Sequence, residues 1–140
     1  MIKFHAASMV GKISDAANKL IISELEKHGL EGIVPSHGGI LMFLYQQNGL
    51  SVKGLAEKIN RTQPTVTVLV DKLEKLSYVK RVKSKEDSRV TLINLTDKGL
   101  QLEPVFREIS DQLNNALYGG LNDTEKEQLE LLLEKVLTRL

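Results

Sequence analysis

The side chains best suited to act on a partner molecule lie close together in the middle of this chain. Gln63, Thr65, Thr67 and Val68 fall within six residues, and Asp71, Lys72 and Lys75 follow. Gln can meet an adenine edge with two hydrogen bonds, Thr can bond a base edge or pack on a thymine methyl, and Lys neutralises phosphate. The stretch from Lys72 to Arg89 then holds seven basic residues: Lys72, Lys75, Lys80, Arg81, Lys83, Lys85 and Arg89. An Arg in such a cationic stretch suits a narrow minor groove, where negative potential is concentrated. These types and spacings point to a duplex nucleic acid.

They do not point to catalysis or to a metal. The chain has no cysteine, which excludes disulfides, thiolate zinc sites, iron–sulfur clusters and thiol redox sensing. It has no Gly-rich phosphate loop and no nucleophile motif. His5, His28 and His37 show neither HxxxH nor HExxH spacing, and structural or solvated histidines are expected rather than ligands. The sequence therefore predicts a protein that is not an enzyme and uses no cofactor. The rival reading is a protein-interaction module, and the charge distribution argues against it. Net charge is +1 overall, but residues 51–100 hold 11 Lys/Arg against 6 Asp/Glu, while the flanks are acidic. One basic region on a near-neutral chain suggests a face that meets an anion.

The elements that must position these residues follow from pattern and punctuation. Apolar residues at three- and four-residue spacing predict a helix over 5–27, broken by Gly29 and Gly32. Pro35–Ser36 opens a second helix, stopped by Asn48–Gly49. Ser51 is placed to cap a short third helix, Val52 to Ile59, and Thr62 to cap a fourth that carries Pro64 in its first turn and runs to about Leu76. Val66, Leu69, Val70, Leu73 and Leu76 would be the buried stripe of that helix. Tyr78–Val82 and Val90–Leu95 are rich in β-branched residues and flank the polar stretch Lys83–Arg89, which predicts a hairpin with a charged tip. A long helix is expected after Thr96, with a kink or late start at Pro104. It ends at Gly119–Gly120, and Asn122 with Glu125 predicts a capping box for the last helix. The longest strongly apolar run, Ile40 to Tyr45, is far too short to cross a bilayer, and the N-terminal stretch does not look like a signal peptide. A cytoplasmic protein is expected, without a membrane partner.

A short helix, a turn, a second helix and a basic hairpin, in that order, form a winged helix-turn-helix. The fold class expected is mainly α with a small β-hairpin wing. The stretch from LSVKGLAEKI to LTDKG resembles the DNA-binding core of the MarR family of bacterial regulators. The resemblance is carried by LAEKI before the turn, TVTVLVDKLEKL on the second helix, YVKR entering the hairpin, Asp87-Ser-Arg89 at its tip, and LTDKG leaving it. The resemblance implies an intertwined helical homodimer on a pseudopalindromic operator in double-stranded DNA. It also implies a transcriptional repressor that responds to a small-molecule effector. Carried over by position, Gln63, Thr65, Thr67 and Val68 would face the major groove. Ser51 and Lys53 would lie near phosphates, Arg89 would enter the minor groove, and Asp87 would orient Arg89. Lys72, Lys83 and Lys85 complete the expected DNA-binding set. Val68 stands where the family often has a polar or basic residue, and Ser77 where Gly is common.

Two units are expected: a winged DNA-binding domain at 36–95, and a helical dimerisation region from 1–35 and 96–140. The winged part has enough apolar residues for its own core, so the leucines of the terminal helices need another partner, and a second copy is the simplest. Phe4, His37, Phe43 and Tyr45, near the expected junction, are candidates to line an effector pocket.

Overall fold

Helix-stopping and helix-capping residues set the element order in the computed structural model, which describes residues 3–140. Helix α1, Ala6–Lys27, ends where Gly29 and Gly32 take φ of 71° and 77°. Helix α2, Pro35–Gln46, starts on a proline whose missing N–H breaks no intrahelical bond. Strand β1, Leu50–Ser51, leads directly into α3, Val52–Ile59, and the Ser51 hydroxyl accepts the Gly54 N–H at 3.0 Å. Asn60, at φ 55°, turns the chain into α4, Gln63–Lys75, which Thr62 caps. Strands β2, Val79–Lys83, and β3, Thr91–Leu95, form the hairpin. Helices α5, Asp97–Gln101, α6, Glu103–Tyr118, and α7, Asp123–Thr138, complete the chain.

The expected long helix after Thr96 is thus two helices that meet at Leu102, because Pro104 is tolerated only in a first turn. Asn122 and Glu125 make the reciprocal capping box of α7, at 2.9 and 3.0 Å. The sheet has a third strand that the sequence did not announce. It is antiparallel in the order β1-β3-β2, with Leu50 opposite Ile93 and Ser51 opposite Leu92. Two residues are too few to show alternation, so this strand exists only because β3 offers it a partner.

The hydrophobic core is built almost wholly of aliphatic side chains. Leu41, Leu44, Leu55, Val66, Val70, Leu73 and Ile93 are fully buried where α2, α3, α4 and the sheet meet. The same cluster takes in Leu25 of α1 and Phe106 and Ile109 of α6, so it continues across the expected boundary at residues 36 and 95. Burying a side chain of this size stabilises by about 1.5–3 kcal/mol. Helix α7 is the exception. None of its residues is buried, and Leu132, Leu133, Val136 and Leu137 are exposed. Met9, Val10 and Ile13 of α1 are likewise uncovered. Among the described residues, no helix is long and apolar enough to cross a membrane.

Candidate nucleic-acid interface

Two faces of α4 divide its labour. Val66, Val70 and Leu73 anchor it in the core, with Leu69 and Leu76 half-buried beside them. Gln63, Thr65, Thr67 and Val68 all lie exposed on the outward side, Val68 at 68%. The hydroxyls on that face are partly committed. Thr67 donates to the Gln63 carbonyl at 3.0 Å. Thr62 donates to the Thr65 hydroxyl at 2.9 Å and in turn accepts the Thr65 N–H. Ser51 spends its oxygen on the cap of α3, while Lys53 projects into solvent in the first turn of that helix.

Lys72 is placed differently from the others. A Cβ built at Gly32 would stand 3.1 Å from its amine, so Lys72 reaches from α4 to the loop between α1 and α2.

The hairpin presents Lys83, Lys85 and Arg89 to solvent. At its tip the Arg89 guanidinium faces Asp87 through two hydrogen bonds of 3.1 Å, one to each carboxylate oxygen, and the Arg89 N–H adds a third at 3.0 Å. These bonds hold the Asp87 carboxyl below its ordinary range. The Arg89 side chain remains 89% exposed. An ion pair this exposed contributes little to stability; its effect is to restrict where the guanidinium points.

Sequence reasoning assigned no role to Arg81 beyond its charge. Its guanidinium donates to Asp71 at 2.7 Å and to Glu74 at 2.6 Å, which ties β2 to α4 and offsets part of the negative charge on the exposed side of α4. The partners lie seven and ten residues away across a strand and a turn, so no helical or strand period exposes the pairing. Arg61 was also missed. It is exposed at the turn before α4, and its guanidinium donates to the Asn60 carbonyl.

The far end of α4 is fixed to α5. Ser77 takes φ 65°, a left-handed conformation that Gly adopts more easily, which accounts for the Gly common at this position. The bonds around it hold the turn: Thr96 donates to the Ser77 carbonyl at 2.5 Å, and Lys98 donates to the Leu76 carbonyl at 2.9 Å. The Lys98 amine also lies 4.9 Å from the centre of the Tyr78 ring. A cation at a helix C-terminus satisfies orphan carbonyls and opposes the helix dipole.

The four residues suggested for an effector pocket are dispersed among other contacts. Phe4 is 89% exposed. Phe43 lies under the Lys58 amine, 5.5 Å from its ring centre. Tyr45 donates its hydroxyl to the Gly99 carbonyl at 2.7 Å, and burial raises its pKa so that it stays a donor. His37 is 6% exposed, and its Nδ1 accepts the Val34 N–H at 2.9 Å, capping α2. A groove of about 560 Å³ opens elsewhere, between α1, α6 and α7, lined by Val10, Ile13, Leu20, Leu113, Leu117 and Leu133 among others.

Burial, and secondarily the nearby Lys72 charge, lower the His37 pKa from its ordinary value near 6.5. Unfolding therefore takes up a proton below pH 6.5, and stability is lost as pH falls from there toward the folded-state value. A protonated Nδ1 also cannot accept the Val34 N–H. Thermal unfolding followed from pH 8 to 5 is expected to show a falling Tm below pH 6.5. His37→Asn, whose side-chain oxygen can accept the same N–H, should flatten that fall. Parallel curves for the two proteins would remove His37 as its cause.

Residues 35–91, which span α2, the helix-turn-helix and most of the wing, match the model of the MarR family. The chain is similar to the HTH-type transcriptional regulator SarZ of Staphylococcus haemolyticus, with 31% identity over 71% of this chain and 66% of that one. It is also similar to the HTH-type transcriptional regulator MgrA of Staphylococcus aureus, with 30% identity over 70% and 65% of the two chains. The chain thus spans just under two thirds of these relatives' length. Among solved structures it matches S. aureus MepR in its DNA complex over the full length of both chains, with 30% identity and a TM-score of 0.86. A MarR transcriptional regulator from Methanosarcina mazei, at 23% identity and a TM-score of 0.84 over 99% of this chain, shares the fold. With the family model matched over the winged segment and a 30%-identical relative matched along its whole length, the chain belongs to the MarR family.

Proposed function

We propose that this protein is a homodimer that binds double-stranded DNA in the cytoplasm and regulates transcription, as a repressor released by a small-molecule effector. It acts by binding and not as an enzyme. The observation that carries the reading is the pairing of an exposed Gln/Thr/Val face on α4 with a wing whose Arg89 is exposed yet held by Asp87. A helix with that face suits the major groove, and an Arg on a stalk beside it suits the adjacent minor groove. MepR, similar over its whole length, is known in a DNA complex. The winged unit at 36–95 does the reading. The helices of 1–35 and 96–140 bring two copies together, so that both α4 helices meet one face of a pseudopalindromic operator about 34–36 Å apart. An effector that favours a different spacing would release the DNA. The repressor and effector assignments rest on the family resemblance.

Titration of labelled duplexes at several salt concentrations tests the reading. Arg89→Ala should weaken binding to every sequence and lower the salt dependence by about one phosphate contact per copy, whereas Gln63→Ala should change which sequence is preferred. An Arg89→Ala protein with wild-type affinity and salt slope would remove the wing from the interface. Absence of binding to any duplex at low salt would overturn the function itself.

A further inference from the structure

The first eight residues of α4, Gln63 to Val70, carry no charge. The Arg or Lys that most often reads guanine is therefore missing from the turns that would enter the groove. Lys72, the first cation of the helix, has its amine against Gly32. The exposed face instead offers Gln63, Thr65, Thr67 and Val68. The hydroxyl hydrogen of Thr67 is committed to the Gln63 carbonyl, so this residue can offer a base only its methyl and a lone pair. Val68 adds an isopropyl group that is 68% exposed. Stability gives no reason for it, because Val is a mediocre helix former and an exposed apolar group gains nothing from solvent. Thr67 and Val68 thus each carry methyl groups on the exposed side of α4, after the polar readers Gln63 and Thr65. On the floor of the major groove, the one protruding apolar group is the 5-methyl of thymine.

We propose that the Thr67–Val68 pair reads thymine by its methyl group and so makes an A·T pair the specified feature of each operator half-site. Thr65 complements it. Its hydroxyl oxygen accepts from Thr62, and its own hydrogen is left to donate to an acceptor such as thymine O4. Gln63, one turn before Thr67, is spaced to meet an adjacent adenine. The inference rests on the DNA-binding reading above and adds the base identity to it.

The test uses duplexes that the full-length protein enriches from a random-sequence pool. Enrichment should give two symmetric half-sites, each with an invariant thymine. Replacing those thymines with deoxyuridine removes the methyl and leaves every Watson–Crick group. Affinity should fall on the order of tenfold when both half-sites are changed, as expected for two methyl contacts. Val68→Ala, a change at an exposed position, should bind the thymine and deoxyuridine duplexes within about twofold of each other and keep the wild-type Tm or exceed it. Equal binding of the two duplexes by the wild-type protein would overturn the methyl readout and leave DNA binding standing. A deoxyuridine effect undiminished in Val68→Ala would overturn the assignment to these two residues. If no duplex is enriched, the DNA-binding reading fails first.

Discussion

Gly99→Ala is expected to destabilise the protein by about 3 kcal/mol or more, a large share of the roughly 5–15 kcal/mol that holds a domain of this kind together. A Cβ built on Gly99 lands on the Tyr78 carbonyl, well inside van der Waals contact with its oxygen, 3.1 Å from its carbon and 3.3 Å from Leu95 Cδ2. The obstacle is backbone and has no room to move. The Tyr78 oxygen accepts the Thr96 N–H, and the Tyr78 N–H is bound to the Leu73 carbonyl. Relief would require breaking the joint that holds the end of α4 to the start of α5. For a chain of this length the loss corresponds to about 10 °C in Tm. Gly39→Ala is the matched control. Its Cβ meets only an Ile59 methyl at 3.6 Å within α2, so that variant should gain about 0.5–1 kcal/mol and melt later. Calorimetry of the pair checks both signs, and a Gly99→Ala protein as stable as wild type would show that the joint yields.

The combined change Leu133→Glu and Leu137→Glu should convert the protein to monomers and weaken DNA binding at least a hundredfold. Both side chains are exposed in the single chain, at 46% and 72%, and Glu suits a helix, so α7 itself should persist. The cost would fall on the proposed dimer, where four carboxylates would enter an apolar contact in place of leucines that each stabilise by about 1.5–3 kcal/mol when covered. Without the dimer each winged unit binds alone, and the gain from joining two sites is lost. Sedimentation should report one chain of 15.6 kDa. Circular dichroism should show the helices retained. A variant that sediments as wild type would mean that α7 finds its cover elsewhere.

The sequence was most legible where local chemistry decides the outcome. The start of α3 at Ser51, of α4 at Thr62 and of α7 at Asn122 each rest on one side-chain oxygen and an N–H three residues on, so they can be read without knowing the fold. Pro104 marked the break between α5 and α6 for the same reason. What could not be read depends on contacts made over distance. Strand β1 needs β3, the Arg81 bridge needs the wing already folded against α4, and Lys72 reaches Gly32 forty residues back in the chain. In the candidate interface the exposed positions of α4 followed from helical period, but the orientation of their hydroxyls did not. Nor did the sequence show which contacts the residues suggested for an effector pocket make, because nearness in sequence along α2 says nothing of direction. Phe43 and Tyr45 are two positions apart on a helix, and they face different neighbours.

The Arg81 bridge has a bearing on how such a protein would search a genome. With no formal charge from Gln63 to Val70, and with Asp71 and Glu74 bonded to Arg81, α4 approaches the bases with an uncharged leading half, while the cations sit at its far end and on the wing. Grip and discrimination then belong to different parts of the molecule. Added salt loosens the grip on every stretch of duplex alike, because it competes for phosphates, and leaves the energy difference between right and wrong bases largely untouched. Ionic strength would set how long the protein lingers anywhere, and α4 would set where it stops.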